Sequence, residues 1–224
     1  MGTTVLLVVA AAVTALVVLQ RRARRRDAAE RMRLFARVVP LLDGARRHGD
    51  GVDGHPVLTG RLDGRPVTLR PILDSVALRK LPVLWVEVVL HRPLDVGGTL
   101  NVLLRPQGTE FFSPDAGFAH EIPAPPDVPR PVRISCAAPE GVPPTRVLAP
   151  AAALLADPAC KELAVGRGGV RAVLRVAEAE QASYRTTRRV VFDRPRLDPQ
   201  VLAEAVAVLD AVGDAVAREE VRSS

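Results

Sequence analysis

The stretch "PVLTGRLDGRPVTLRPIL" (Pro56–Leu73) decides the architecture. Two segments that alternate apolar and polar residues flank Asp63-Gly64. A two-residue type I′ turn needs positive φ at both central positions, and Asp-Gly tolerates that well. The stretch therefore predicts a β-hairpin rather than a helix. Further along, "LWVEVVLHR" (Leu84–Arg92) predicts a third strand and "TLNVLLRP" (Thr99–Pro106) a fourth, joined by a turn at Gly97-Gly98. In the third, Leu84, Val86, Val88 and Leu90 share one face and Trp85, Glu87, Val89 and His91 the other, since side chains alternate along a strand. The first set is the expected core face.

Beyond this sheet the pattern changes. Phe112–Pro131 is rich in proline and reads as irregular. "PVRISCA" (Pro131–Ala137) predicts a strand, and Thr145–Ala159 a short helix that Pro150 starts or kinks. Lys161–Glu178 predicts a second hairpin turning at Gly166–Gly169, and Tyr184–Phe192 a further strand. The last segment is the clearest helix. Asp198-Pro199 supplies an N-cap and a first-turn proline. Leu202, Ala205, Leu209, Val212 and Val216 form one apolar stripe, fit for packing on a sheet, with a dimer helix as the alternative.

The amino terminus reads differently. Gly2–Gln20 is uncharged, and Val5–Leu19 is Val, Leu and Ala apart from Thr14. No polar stripe interrupts it, and a spanning helix needs about 20 apolar residues. No side-chain charge precedes it, which disfavours a cleaved signal peptide. Arg21, Arg22, Arg24, Arg25 and Arg26 follow at once. Arginines beside a span stay on the cytoplasmic side. The expectation is a single-pass anchor in the inner (plasma) membrane, with its N-terminus outside and its body in the cytoplasm. The arginines set topology or also bind anionic lipid headgroups. Asp27–Leu42 continues as an expected helix, and Asp43–His55 as a linker. The expected fold class is α+β: a transmembrane helix, then an antiparallel sheet domain with a short helix and a C-terminal amphipathic helix. The expected divisions are an anchor over 1–20, a basic helix and linker over 21–55, and the α+β domain over 56–224.

The charge map bears on partners. Residues 20–47 hold ten arginines against Asp27, Glu30 and Asp43, a net of +7. The whole chain is +6, so residues 48–224 carry −1. The high pI belongs to the N-terminal segment. Nucleic acid is not an expected partner, for the aromatic platforms of single-strand binding are missing near those arginines.

No chemistry is specified. "GRGG" (Gly166–Gly169) is followed by a strand, whereas a phosphate loop opens a helix. His120 lacks a second histidine four residues on, so it makes no zinc helix. A dyad of His120 with Asp115 or Glu121 is open but unspecified. Cys136 and Cys160 make neither a zinc set nor a disulfide framework. They read as buried thiols, or as one bridge if the body lies outside the cell. No cofactor or metal is expected. Two stretches are candidate binding sites: Arg79-Lys80 with Trp85, and Phe111-Phe112. Trp and Arg anchor interfaces, and the same residues also serve as core. Arg185, Arg188, Arg189, Arg194 and Arg196 read as a solvated basic surface.

The anchor, the arginine neck, "GRLDGRPVTLRP" and "RKLPVLWVEV" together resemble uncharacterised single-span bacterial membrane proteins. That resemblance covers the anchor and the first half of the body. It implies topology, and no activity. The functional expectation is a non-catalytic binding or scaffolding domain held at the inner leaflet, with anionic lipid and a protein partner. The alternatives are an extracytoplasmic domain in envelope maintenance and a membrane-bound enzyme.

Overall fold

Asp63 and Gly64 take φ of +50° and +78°, the left-handed values the turn requires. The computed structural model describes residues 14–22, 29–49, 54–75, 81–108, 110, 112–181, 184–185 and 190–223. The hairpin strands are β2 (Val57–Leu62) and β3 (Arg65–Asp74), and they belong to a nine-stranded antiparallel sheet. The other strands are β1 (Asp43–His48), β4 (Val83–His91), β5 (Leu100–Leu104), β6 (His120–Ile122), β7 (Val132–Cys136), β8 (Cys160–Gly166) and β9 (Gly169–Glu178). Their order is β1-β2-β3-β4-β9-β8-β5-β7-β6. The β8–β9 hairpin is thus inserted between β4 and β5.

Cross-strand register assigns the two faces. Leu58, Leu69, Val88, Ala172, Leu163 and Val102 lie in one continuous row across six strands. All six are buried in the main core. The C-terminal helix (Pro199–Ser223) closes that core through Leu202, Ala205, Leu209, Val212 and Val216, the stripe read from its spacing. Its cap forms as the sequence predicts, with the Gln200 N–H donating to Asp198 Oδ1 at 2.8 Å. Ion pairs fix the helix at the core margin. Arg65 Nε lies 2.8 Å from Asp210 Oδ2, and Arg92 Nη1 2.6 Å from Asp214 Oδ1. Arg146, from the 3₁₀ turn Thr145–Ala151, pairs with Glu219.

The N-terminal expectations need correction. Among the described residues no helix is long and apolar enough to cross a membrane. Residues 14–22 are helical. Residues 1–13 lie outside the described residues. The transmembrane element of the expected fold class is therefore overturned. With it go the single-pass membrane description and the inner-membrane placement with a cytoplasmic body.

Two local readings change for identifiable reasons. Asp27–Leu42 is not one helix: residues 29–32 are helical, turns follow, and Val39–Leu41 is a 3₁₀ turn. The helical residues end at Met32, and Pro40, which lacks the N–H a continuing helix would need, sits inside the later 3₁₀ turn. Leu34, Phe35, Val38 and Leu42 still face inward and are buried in the sheet's own core. The expected linker begins with a strand instead. Asp43–His48 forms β1 by pairing with β2, with an irregularity between Asp43 and Arg46. The sheet domain accordingly starts before residue 56. In Tyr184–Phe192, residues 184–185 are helical and 190–192 have no regular structure, while 186–189 lie outside the described residues.

The Gly166–Gly169 turn closes the β8–β9 hairpin. Gly169 has φ of +134°, and a Cβ there would fall 2.0 Å from the Leu90 carbonyl oxygen. Gly169→Ala should cost about 1–3 kcal/mol, with the turn shifting from β4 to relieve the clash. Gly168, with nothing within 4 Å of its Cβ position, should tolerate Ala with a change below about 0.5 kcal/mol. Urea denaturation of the two variants checks this. Equal effects would mean that the close approach of Gly169 to β4 does not constrain the turn.

Candidate binding face

The second face of the sheet is polar, and half of it is covered. One row runs Thr59–Thr68–Val89–Arg171–Ala164–Asn101 by cross-strand register. A neighbouring row places Arg70 opposite Glu87, Glu87 opposite Val173, and Val173 opposite Glu162. Arg171 sits between the two carboxylates. The result is a chain of ion pairs across β3, β4, β9 and β8: Arg70 to Glu87, Glu87 to Arg171, Arg171 to Glu162. Side-chain exposure is 52% for Arg70, 7% for Glu87, 20% for Arg171 and 0% for Glu162. The anions are withdrawn and a guanidinium stands at the solvent end. Buried carboxylates are tolerated when each meets a cation with hydrogen-bond geometry, and here each does.

The connection after β5 lies over the β8–β5 half. Lys161 Nζ donates to Glu110 Oε1 at 3.0 Å and to the Arg105 carbonyl at 2.7 Å. Glu110 Oε1 also accepts the Gln107 N–H at 2.8 Å. Asn101 Nδ2 donates to Ser113 Oγ at 3.3 Å. The Phe112 ring meets Trp85 with centroids 6.5 Å apart, over Ile72 and Val173. These contacts bury Asn101, Leu103, Ser135 and Glu162.

The β1–β4 half is open. Here His48 Nε2 lies 3.1 Å from Thr59 Oγ1, and His91 Nε2 lies 2.8 Å from Thr68 Oγ1. Thr59 and Thr68 are cross-strand partners, so the four side chains form one polar line over four strands. Arg46, Arg61 and Arg70 are exposed beside it.

The candidate residues from the sequence are not gathered at one place. Trp85 is 9% exposed and engaged with Phe112, which is itself partly buried. Arg79, Lys80 and Phe111 lie outside the described residues. Arg21 and Arg22 are exposed on the helix over 14–22, and Arg24, Arg25 and Arg26 lie outside the described residues. His120 and Glu121 are consecutive in β6 and point to opposite faces, which separates that dyad. Asp115 belongs to the 3₁₀ turn Pro114–Gly117, and its side chain lies outside the description. Among the described residues no group of three or more His, Cys, Asp or Glu is placed to hold a metal. The ion chain was missed at the sequence level. Its one local signal was Glu87, a carboxylate inside an otherwise apolar strand.

Both cysteines are free and buried. Register sets Cys136 in the row of Val165, five residues along β8 from Cys160 and two strands away. At about 3.3 Å per residue and 4.8 Å per strand they are on the order of 15 Å or more apart, beyond the roughly 7 Å a disulfide allows. Burial pushes the Cys160 thiol up to about 12 from its ordinary 9.0. The neutral thiol is favoured in the fold, so its stabilising effect is complete below pH 9 and is lost as pH rises toward about 12. Cys160→Ala should lose less stability than the parent across that window, measured by denaturation at stepped pH. At pH 8 iodoacetamide should leave native Cys160 unmodified and label it after unfolding. Native labelling would contradict the buried placement.

Fold and face define a one-sided antiparallel sheet with an ion-paired second face. Comparison of the chain with protein-family models, curated proteins and solved structures finds no match.

Proposed function

We propose that the domain is a non-catalytic binding or scaffolding module that works through its polar sheet face. The observation that carries this reading is the ion chain. Glu87 is gripped by two guanidiniums and Glu162 by one. Carboxylates committed in this way hold strands together, with their oxygens turned to guanidiniums of neighbouring strands. The same pairing leaves the open β1–β4 half as a firm platform of exposed side chains, because β3 and β4 beneath it are tied to β9 and β8. Binding surfaces built on rigid strands lose little entropy on engagement.

The test is site-specific photo-crosslinking in the native host, with benzoylphenylalanine at Thr59 on the open face and at Val201 on the helix side. Val201 is 43% exposed and is the matched control. A discrete protein adduct from position 59 and none from 201 is the expected result. Equal adducts from both positions, or none from 59, would overturn the reading.

A further inference from the structure

We propose that the open half of the polar face docks an acidic segment of a partner protein, a proposal that rests on the binding reading above and names the partner's chemistry. The ion chain is neutral as a whole, but it is graded. Its carboxylates are 7% and 0% exposed and its terminal guanidinium 52%. A molecule arriving from solvent meets Arg70 and not the acids behind it. Arg46 and Arg61 stand exposed beside it, with His48 and His91 at either end of the threonine line. The acids near this surface are Asp43, the cross-strand partner of Arg61, Asp63 in the β2–β3 turn and Asp74 at the end of β3, while Arg46 and Arg70 point to solvent away from them. Such an arrangement attracts carboxylates and orients them through charge complementarity.

Other occupants fit less well. A second copy meeting this face with its own would set arginine against arginine, which costs energy. Single-stranded nucleic acid calls for aromatic platforms, and the aromatic pair on this side, Trp85 and Phe112, is shut beneath the β5–β6 connection. The sheet domain is also not basic overall: the +1 of residues 43–47 and the −1 of residues 48–224 sum to zero. Four strands at about 4.8 Å spacing span roughly 15 Å, the reach of about five extended residues. The expected ligand is therefore a short extended stretch with two or more Asp or Glu.

The experiment is fluorescence anisotropy of the full chain with a labelled hexapeptide alternating Glu and Gly, against Gln-Gly and Lys-Gly peptides. The expected result is binding of the Glu peptide alone. It should weaken about tenfold or more in Arg46→Glu with Arg61→Glu, and weaken as salt rises from low to physiological strength. Neither arginine belongs to the ion chain, and circular dichroism checks that the variant folds. Arg46→Gln with Arg61→Gln is the second variant, expected to weaken binding less than charge reversal does. Unchanged affinity in the Glu variant would overturn the proposal. So would an oligothymidylate displacing the peptide. If the Glu peptide does not bind while position 59 still crosslinks a protein, the acidic class falls and the binding reading stands. If neither occurs, both fall.

Discussion

Arg171→Met should lower the unfolding free energy by about 3–5 kcal/mol, because it leaves Glu87 and Glu162 buried without their shared cation. Arg171 bridges the two carboxylates from β9, and Glu162 has no exposed side-chain surface. The methionine chain replaces much of the arginine's apolar stem, so the loss reports charge and not volume. Urea denaturation followed through Trp85, the single tryptophan, measures it directly. Adding Glu162→Met to Arg171→Met removes one stranded carboxylate with its partner, and that double variant should be more stable than Arg171→Met alone. A cost below about 1 kcal/mol for the single variant would place these groups in the class of screened surface pairs and undo the account of the face.

The second large effect belongs to the opposite face. Leu209→Ala should cost about 2–5 kcal/mol, the range for emptying a fully buried leucine site. Leu209 has 0% exposure at the middle of the helix stripe. The helix is anchored from the next residue onward, by Arg65 on Asp210, Arg92 on Asp214 and Arg146 on Glu219. An anchored helix cannot slide to refill the cavity, which favours the upper part of the range. Val201→Ala, on the exposed side of the same helix, should change stability by less than about 0.5 kcal/mol. Comparable losses from both positions would mean that the stripe does not seat the helix on the sheet.

What could be read in advance was local. The Asp63-Gly64 hairpin and the helix from Pro199 are each specified by residues within one or two turns of each other. A period of 2 or 3.6 shows them without any knowledge of the rest. Strand β1 has no such signature. "DGARRH" shows no alternation of apolar and polar residues, and it is a strand because β2 offers it an edge. Leu34, Phe35 and Val38 kept their inward orientation while the helix expected of them ended at Met32, so the apolar spacing was informative about burial and misleading about backbone. The N-terminal reading rested on the apolar run and on the arginines that follow it, and among the described residues no helix is long and apolar enough to cross a membrane. The candidate face was the least legible. Its ion pairs join residues 17, 84 and 9 positions apart. Only the insertion of β9 and β8 beside β4 brings them together. Trp85 could be read from the sequence as an interface anchor or as core, and it lies against Phe112 at 9% exposure.

The strand order also sets a schedule. The meander β1–β4 is complete when residue 91 has been made, yet the neighbour that covers the far edge of β4 ends at residue 178. At the roughly 5–20 residues per second of synthesis, 87 residues take about 4–17 seconds. Through that interval "VLWVEVVLH" offers an unpaired, largely apolar edge, the kind of template that recruits a wrong strand. Glu87 already meets Arg70 of β3 within that meander, and its second guanidinium, Arg171, arrives only with β9. The ion chain is thus completed only by the same hairpin that closes the open edge of β4.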